Sequence, residues 1–174
     1  MAGDRAIDEG GRAAERGGRI ERGVDVGGGQ QRGDPRIRER DVTERLCLRQ
    51  GATGAAVTTL QYALRAKGYS ITIDGIFGSG TATVVKTYQR TAGLTVDGIV
   101  GPATWGKVLP VLRSGATGYA VRGQQVELRA HGHSVTVDGQ FGPATQAAVI
   151  AYQKANRLTA DGIVGLQTWG SLVD

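Results

Sequence analysis

The chain has 174 residues, with 21 Lys and Arg, 16 Asp and Glu, 29 Gly, one Cys and nine aromatic residues. This length allows one ordinary domain or two very small ones. A single cysteine, Cys47, excludes an internal disulfide, and two histidines cannot supply a three-histidine metal site. No run of eighteen apolar residues is present, so no membrane span is predicted. We therefore predict neither a cofactor nor a metal, and the formal charge of +5 suits a mildly anionic partner.

Residues 1–45 differ in composition from the rest of the chain. They hold ten Arg, ten acidic residues, ten Gly and no aromatic residue, so they cannot bury enough apolar surface to offset the entropy cost of folding. We predict a disordered tail, with some helix near residues 35–46. The segment Arg16-Gly17-Gly18-Arg19 resembles an RNA-binding box, but the interleaved acids cancel its field, and nucleic-acid binding is not expected. No secretory signal is visible at residues 1–5, so the export route is not predicted.

The remainder is a tandem repeat with a shift of 64 residues. Residues 48–109 align with residues 112–173 without a gap, and 33 of these 62 positions are identical. Duplication of a whole folding unit predicts two domains. We place a first module at residues 46–109 and a second module at residues 110–174, close together in space because the link between them is short.

Each module shows the hydrophobic period of helices. In the first, one helical face carries Val57, Leu60, Gln61 and Leu64, at positions i, i+3, i+4 and i+7. Thr53 is predicted to cap this helix, and Gly68 to end it in the left-handed conformation. Asp-Gly turns then separate the helices, because the Asp side chain can accept a backbone N–H and Gly adopts positive φ freely. These signals predict an all-α fold of two three-helix bundles, with helices at residues 55–67, 79–91, 102–108, 120–131, 143–156 and 166–172.

A bundle of this size has a small core, so nearly every large apolar residue must pack inside it. Gln124 stands in the second module where the first has Leu60, and a buried Gln without partners costs on the order of 1–3 kcal/mol. Either the second module is the less stable one, or Gln124 lies at a solvated rim. The core residues predicted for the first module are Leu60, Leu64, Phe77, Val85, Tyr88, Leu94, Ile99, Val100 and Trp105.

Several spaced motifs recur in both copies. In the first copy they are Gly51-x-x-Gly54-x-x-Val57-x-x-Leu60-Gln61, Asp74-Gly75-x-Phe77-Gly78-x-x-Thr81, Tyr88-Gln89 and Leu94-x-x-Asp97-Gly98-Ile99-Val100-Gly101-x-x-Thr104-Trp105. The second copy keeps all of them except Leu60. Over residues 48–173 this pattern resembles the peptidoglycan-binding-domain-like family. The resemblance implies three-helix modules that hold a hydrolase or lysin on the bacterial cell wall, with peptidoglycan as the partner and an extracellular or wall location.

A glycan that carries peptide carboxylates is recognised by amide and hydroxyl groups, aromatic faces and positive charge. The glutamines are the preferred candidates, since a polar residue at matching positions has no evident packing role. For the aspartates the alternative is a local turn cap, and for the tyrosines, as for Trp105 and Trp169, it is the core. The candidate ligand-binding residues, which recur in both modules, are Gln89, Gln153, Tyr88, Tyr152, Asp74, Asp138, Thr81, Thr145, Arg65 and Arg129.

Catalysis is not predicted for this chain. A muramidase needs two carboxylates that flank the scissile bond, but the first module has only Asp74 and Asp97, both in Asp-Gly turns. His131 and His133 supply only two side chains for a metal. We expect a monomer that binds without catalysis. The alternative function is a protein-interaction module pair with an Arg/Gly tail that contacts nucleic acid.

Overall fold

The structure, a computed structural model, describes residues 47–174. The tail over residues 1–45 and the helix predicted near residues 35–46 fall outside the described residues. Within residues 47–174 the fold is helical and has no strands, which confirms the predicted all-α class. The six helices are α1 Ala55–Ala66, α2 Ser79–Thr91, α3 Pro102–Val108, α4 Tyr119–Ala130, α5 Pro143–Ala155 and α6 Leu166–Leu172.

The core of the first module lies between its three helices. Helix α1 buries Val57, Leu60 and Leu64 completely, in agreement with the helical period of these apolar residues. Val85 from α2 and Trp105 from α3 close the core from the other sides. Each fully buried side chain of this kind contributes about 1.5–3 kcal/mol of transfer free energy, so a few of them decide whether so small a bundle folds.

The loops are held by single backbone bridges. Leu48 pairs with Val100 and Thr53 pairs with Ile76, and the second module repeats both bridges at the equivalent positions. After α1, Gly68 adopts a φ of 89°, and the Tyr69 N–H donates to the Leu64 carbonyl oxygen over 3.1 Å. This bond closes the left-handed helix end that the sequence predicted at Gly68.

Two local predictions are wrong. Thr53 does not cap α1, because Gly54 occupies the N-cap position and makes no side-chain bond there, whereas Thr53 belongs to the bridge with Ile76. Ile99 is 39% exposed and not in the core. In the extended segment after the Asp-Gly turn, neighbouring side chains point to opposite sides, and the inward position is taken by Val100.

The two modules pack against each other through α1 and α4. At this contact the Thr59 hydroxyl donates to the Gly123 carbonyl oxygen over 3.0 Å in buried surroundings. Thr59 and Gly123 occupy equivalent positions in the two copies. An apolar cavity of about 120 Å³ between the modules is lined by four such equivalent pairs, so the modules are related by an approximate two-fold axis. The pairs are Pro102 with Leu166, Trp105 with Trp169, Gly106 with Gly170 and Leu109 with Val173.

Helix α4 buries two polar side chains that α1 lacks. Gln124 is 0% exposed, and neither atom of its amide group has a hydrogen-bond partner. The alternative that placed Gln124 at a solvated rim is therefore wrong. Glu127, which stands where the first module has Ala63, is 2% exposed, and its Oε1 has no hydrogen-bond partner. Burial raises the pKa of Glu127 to about 7, with a smaller opposing effect from the Thr59 hydroxyl.

Candidate functional site

A buried glutamine organises each Asp-Gly turn. The Gln89 side-chain Nε2 donates to the Asp97 carboxylate over 2.8 Å and to the Ile99 carbonyl oxygen over 2.9 Å, and it lies 3.3 Å from the Thr104 hydroxyl oxygen. Its Oε1 accepts the Gly98 N–H over 2.9 Å. One glutamine side chain thereby supplies hydrogen-bond partners for the polar groups of a whole turn. This loop is not paired in a strand, so these groups would otherwise have only water as a partner. We call this arrangement an amide clamp.

The amide clamp occurs four times in the described residues. In the first module Gln61 holds the earlier turn in the same manner, with 2.7 Å from its Nε2 to the Asp74 carboxylate. Both clamps recur in the second module at the equivalent positions. The four sets are Gln61-Asp74-Thr81, Gln89-Asp97-Thr104, Gln125-Asp138-Thr145 and Gln153-Asp161-Thr168.

The clamps keep the turn aspartates ionised. The pKa values of Asp74 and Asp138 lie below their usual value, chiefly because Gln61 and Gln125 donate to these carboxylates. The pKa of Asp97 is lowered as well, with the Ile99 backbone N–H as the largest cause. These aspartates act as turn caps, the structural alternative considered from the sequence.

The reason given for preferring Gln89 and Gln153 as ligand contacts is wrong. Each side chain is 1% exposed, and both ends of its amide are hydrogen-bonded within the protein. Their packing role is to hold the loop that follows α2 or α5. A ligand could use these amides only by breaking the clamp, which costs about 1–3 kcal/mol for each buried polar group left unpaired.

A groove in the first module gathers three of the ten candidates. This groove, about 570 Å³ in volume, lies between the end of α1, the extended segment after it and the start of α2. Arg65, Asp74 and Thr81 line it, together with the hydroxyl-bearing Ser70 and Thr72. It combines one cation, one ionised carboxylate and a row of hydroxyl groups, and we call it groove 1.

The second module carries a groove of about 610 Å³ at the equivalent place, which we call groove 2. Arg129, Ser134 and Thr136 line it, as Arg65, Ser70 and Thr72 line groove 1. His133 is added to its wall. Asp138 and Thr145, which were also candidates, are held in a clamp and do not line groove 2.

Tyr88 and Tyr152 lie in the core. Tyr88 is 7% exposed and packs edge-on against Tyr69 at a centroid distance of 5.9 Å. Tyr152 is 2% exposed, and its hydroxyl donates to the Ser171 carbonyl oxygen over 2.6 Å. Burial raises the pKa of both phenols. Neither ring offers a face to a ligand, which corrects their selection as binding residues.

Arg65 of groove 1 also contacts a residue of the second module. The guanidinium carbon of Arg65 lies 5.6 Å from the ring centroid of Tyr119, the first residue of α4. On the same ring Tyr62 stacks at a centroid distance of 6.3 Å and an interplanar angle of 24°. Tyr119 remains 43% exposed, so a residue of the second module forms part of the surroundings of Arg65.

A family model described as peptidoglycan binding domain matches the chain twice, at residues 53–108 and 117–172, more than half of its length. The chain belongs to this family. The match supports peptidoglycan binding as the function of the two modules, as the sequence resemblance implied. It also confirms the tandem arrangement of the two copies.

Two of the curated relatives that the chain matches are enzymes by name. The chain is 32% identical over 160 residues to N-acetylmuramoyl-L-alanine amidase CwlL of Bacillus licheniformis, an alignment that covers 72% of the chain and 44% of that protein. It is 32% identical over 118 residues to zinc D-Ala-D-Ala carboxypeptidase of Streptomyces albus G, which covers 63% of the chain and 45% of that protein. The chain thus spans less than half the length of the curated relatives it matches.

Among solved structures, a peptidoglycan-binding protein from Clostridioides difficile is 41% identical over 36% of the chain and 40% of its own length, with a TM-score of 0.36.

In residues 47–174 no group of three or more His, Cys, Asp or Glu residues could hold a metal ion. Across the same residues no helix is long and apolar enough to span a membrane.

In the two peptidoglycan binding domains the structure adds candidate site residues that the sequence did not single out. The sequence places Gln61 on the apolar face of the first helix and Gln125 in the repeated motif, but it marks neither as a site residue, although each builds a clamp beside a groove. Ser70 and Thr72 were not selected, although they line groove 1. A usable signal was present, because both hydroxyl residues recur unchanged at positions 134 and 136 of the second copy.

Proposed function

We propose that the chain is a non-catalytic anchor that binds peptidoglycan in grooves 1 and 2. The observation that carries this proposal is the recurrence of one groove at the same place in both modules. In each groove an arginine and a Ser-x-Thr pair face the same space. Packing alone does not require this combination of polar residues, since all three side chains are exposed in both modules.

The chemistry of the grooves fits a glycan with peptide stems. Arg65 and Arg129 are suited to bind stem carboxylates, because a guanidinium donates two parallel hydrogen bonds to such a group. The serine and threonine hydroxyls can both donate to and accept from sugar hydroxyls and peptide amides. In groove 1 the ionised Asp74 adds an acceptor for ligand N–H or O–H groups.

The anchoring role rests on the relatives. They are an amidase and a carboxypeptidase, and the chain spans less than half of the length of each. The family that the chain matches is the part of such enzymes that binds peptidoglycan. We propose that the chain acts at the cell wall and holds a wall-active enzyme there. We further propose that it is a monomer, because the buried face of α1 is already covered by α4 of the same chain.

The test is co-sedimentation of the full chain with purified sacculi. Wild-type protein is expected in the pellet. The double variant Arg65→Ala/Arg129→Ala is expected largely in the supernatant, because both carboxylate-binding groups are lost. The matched control is the double variant Arg90→Ala/Arg113→Ala, which also removes two exposed arginines, neither of which lines a groove.

Two outcomes would contradict the proposal. Wild-type protein that stays in the supernatant, while immobilised RNA or a protein partner retains it, would favour the interaction-module alternative. Equal losses of sacculus binding for Arg90→Ala/Arg113→Ala and for the groove variant would mean that net charge, and not the grooves, drives binding.

A further inference from the structure

We infer that groove 1 is completed across the module boundary and that Tyr119 of the second module is the positioning residue that holds Arg65 in place for a ligand carboxylate. The inference rests on the proposed function and deepens it. It makes groove 1 the stronger of the two sites and makes its strength depend on the docking of the second module.

Arg65 contacts the aromatic ring of Tyr119. The guanidinium carbon of Arg65 is 5.6 Å from the Tyr119 ring centroid, within the range at which a cation is attracted to an aromatic face. Arg65 is an exposed side chain at the end of α1 that also lines groove 1. The tyrosine therefore acts on the only cationic group among the described residues that line this groove.

Tyr119 is itself supported by residues of the first module. Tyr62 of α1 stacks on the Tyr119 ring at a centroid distance of 6.3 Å, so the ring is held from the first module as well. Nearby, the hydrogen bond from Thr59 to Gly123 fixes α1 against α4. The position of Tyr119 relative to groove 1 is thus set by a buried contact and not by a loose linker.

The two copies differ at the residues that form this contact. Position 55, equivalent to Tyr119, is Ala, and position 126, equivalent to Tyr62, is Val. Arg129 of groove 2 therefore lacks the aromatic neighbours that Tyr119 and Tyr62 provide near Arg65, although the modules are related by an approximate two-fold axis. Tyr119 is 43% exposed and lies outside the buried core, so its ring remains accessible beside Arg65.

The physical effect is pre-organisation. A free arginine side chain loses rotamer entropy when it binds a carboxylate, and a ring that already restrains the guanidinium lowers this loss. Cation–π contacts at exposed sites are worth enough to change affinity roughly two- to five-fold. Groove 1 should therefore bind a carboxylate-bearing stem more tightly than groove 2 by this factor.

The experiment is a double-mutant cycle on the full chain, with a soluble disaccharide tetrapeptide as the probe in calorimetric titration. Tyr119→Ala is expected to raise Kd at groove 1 roughly two- to five-fold in the wild-type background and to have no effect in an Arg65→Ala background. Tyr119→Phe should restore wild-type affinity, because the ring face remains. A probe with amidated carboxyl groups should bind Tyr119→Ala and wild type equally.

The matched controls use the second module. Tyr119→Ala combined with Arg129→Ala should give additive losses, because no coupling is expected there. Thermal unfolding of each variant identifies any that fails to fold. In that case the comparison uses Tyr119→Phe and the NMR resonance of the Arg65 side-chain Nε–H. Ring currents of the retained aromatic face should keep this resonance at its wild-type position.

The outcomes separate the inference from the proposed function. If wild type does not bind the probe or sacculi, the proposed function fails. If wild type binds but Tyr119→Ala binds equally well, or loses the same factor with and without Arg65, the inference is overturned while the proposed function stands.

Discussion

The Thr59 hydroxyl donates a hydrogen bond to the Gly123 carbonyl oxygen, and these two residues stand at the same position in the two copies of the repeat. A residue meets its own equivalent only near a two-fold axis. The duplicated modules are therefore arranged face to face about α1 and α4, and are not stacked in one direction as successive repeats of a solenoid are.

The close approach at this axis predicts the effect of side chains at position 123. A Cβ placed on Gly123 would lie 3.4 Å from the Cα, Cγ2 and carbonyl oxygen of Thr59, which is van der Waals contact. Gly123→Leu should force the helices apart and lower the free energy of unfolding by about 1–3 kcal/mol. Chemical denaturation measures this. Gly123→Ala is the control and should be neutral or slightly stabilising, because alanine favours the helix.

The clamps predict that replacing a buried glutamine lowers the free energy of unfolding more than replacing an exposed one. Gln153→Ala leaves the Gly162 N–H and the other polar groups of its clamp without their partner, and should lower the free energy of unfolding by about 2–4 kcal/mol. Gln167→Ala changes an exposed glutamine of the same module and should cost less than about 0.5 kcal/mol. Similar losses for the two variants in denaturant titrations would remove the structural role assigned to the clamp.

Glu127 predicts a loss of stability as pH rises. Its pKa is about 7 in the folded protein against 4.5 as the ordinary value, so the folded state holds more protons on this carboxyl between these two values. Stability should fall as pH rises through this window, by on the order of 3 kcal/mol once Glu127 is fully ionised. Urea unfolding of the full chain from pH 4.5 to 8 measures the slope.

Glu127→Ala, which installs the residue found at position 63, should flatten that slope and leave the protein more stable than wild type above pH 7. Glu127→Gln keeps the volume without the charge and should flatten it equally. The clamp aspartates act in the opposite direction, because their lowered pKa values make stability fall as pH drops through those values. A wild-type slope that survives in both Glu127 variants would refute the assignment.

Gln124 predicts that the second module is the less stable one. Gln124→Leu replaces an amide with no hydrogen-bond partner by the residue that occupies the equivalent core position in the first module, and should raise the free energy of unfolding by about 1–3 kcal/mol. The reciprocal change, Leu60→Gln, should lower it by a similar amount. Calorimetric unfolding of both variants tests this; a destabilised Gln124→Leu would mean that the amide has a partner.

The backbone conformation of Arg157 predicts that a glycine at this position stabilises the protein. It has a φ of 58°, while the equivalent Gly93 in the first module has a φ of 69°. A residue with a Cβ is disfavoured in this left-handed region by about 1–2 kcal/mol. Arg157→Gly should therefore raise the free energy of unfolding by about 1 kcal/mol, and Gly93→Arg should reduce it. Thermal midpoints that move in the other direction would contradict this reading of the helix end.

Local signals predicted the helices well. Helices α2, α3 and α6 have the predicted bounds, because Asp-Gly turns and the proline at the start of α3 act within a few residues. The burial of Gln89 could not be predicted in this way. Its partners lie 8 to 15 residues further along the chain, and a polar residue in a helical pattern is usually solvated.

The candidate site was predicted only in part. Arg65, Asp74 and Thr81 do line one groove, but Tyr88 and Gln89 are buried, and the contribution of Tyr119 was not foreseen. The contact of Tyr119 with Arg65 depends on how α1 and α4 pack, and this packing is set by residues 64 positions apart in the sequence. No periodicity within one module carries that information.

The axis at Thr59 and Gly123 has a consequence for how the two copies can change. In a homodimer, an isologous interface places the same side chain on both sides, so a hydroxyl would face a hydroxyl and a glycine a glycine. Fusion into one polypeptide removes that restriction. Here Thr59 of the first module supplies the hydroxyl donor, and Gly123 of the second module supplies only its backbone carbonyl oxygen. Four residues further along each helix, Ala63 and Glu127 occupy equivalent positions. Gene fusion allows an interface that two identical subunits cannot form.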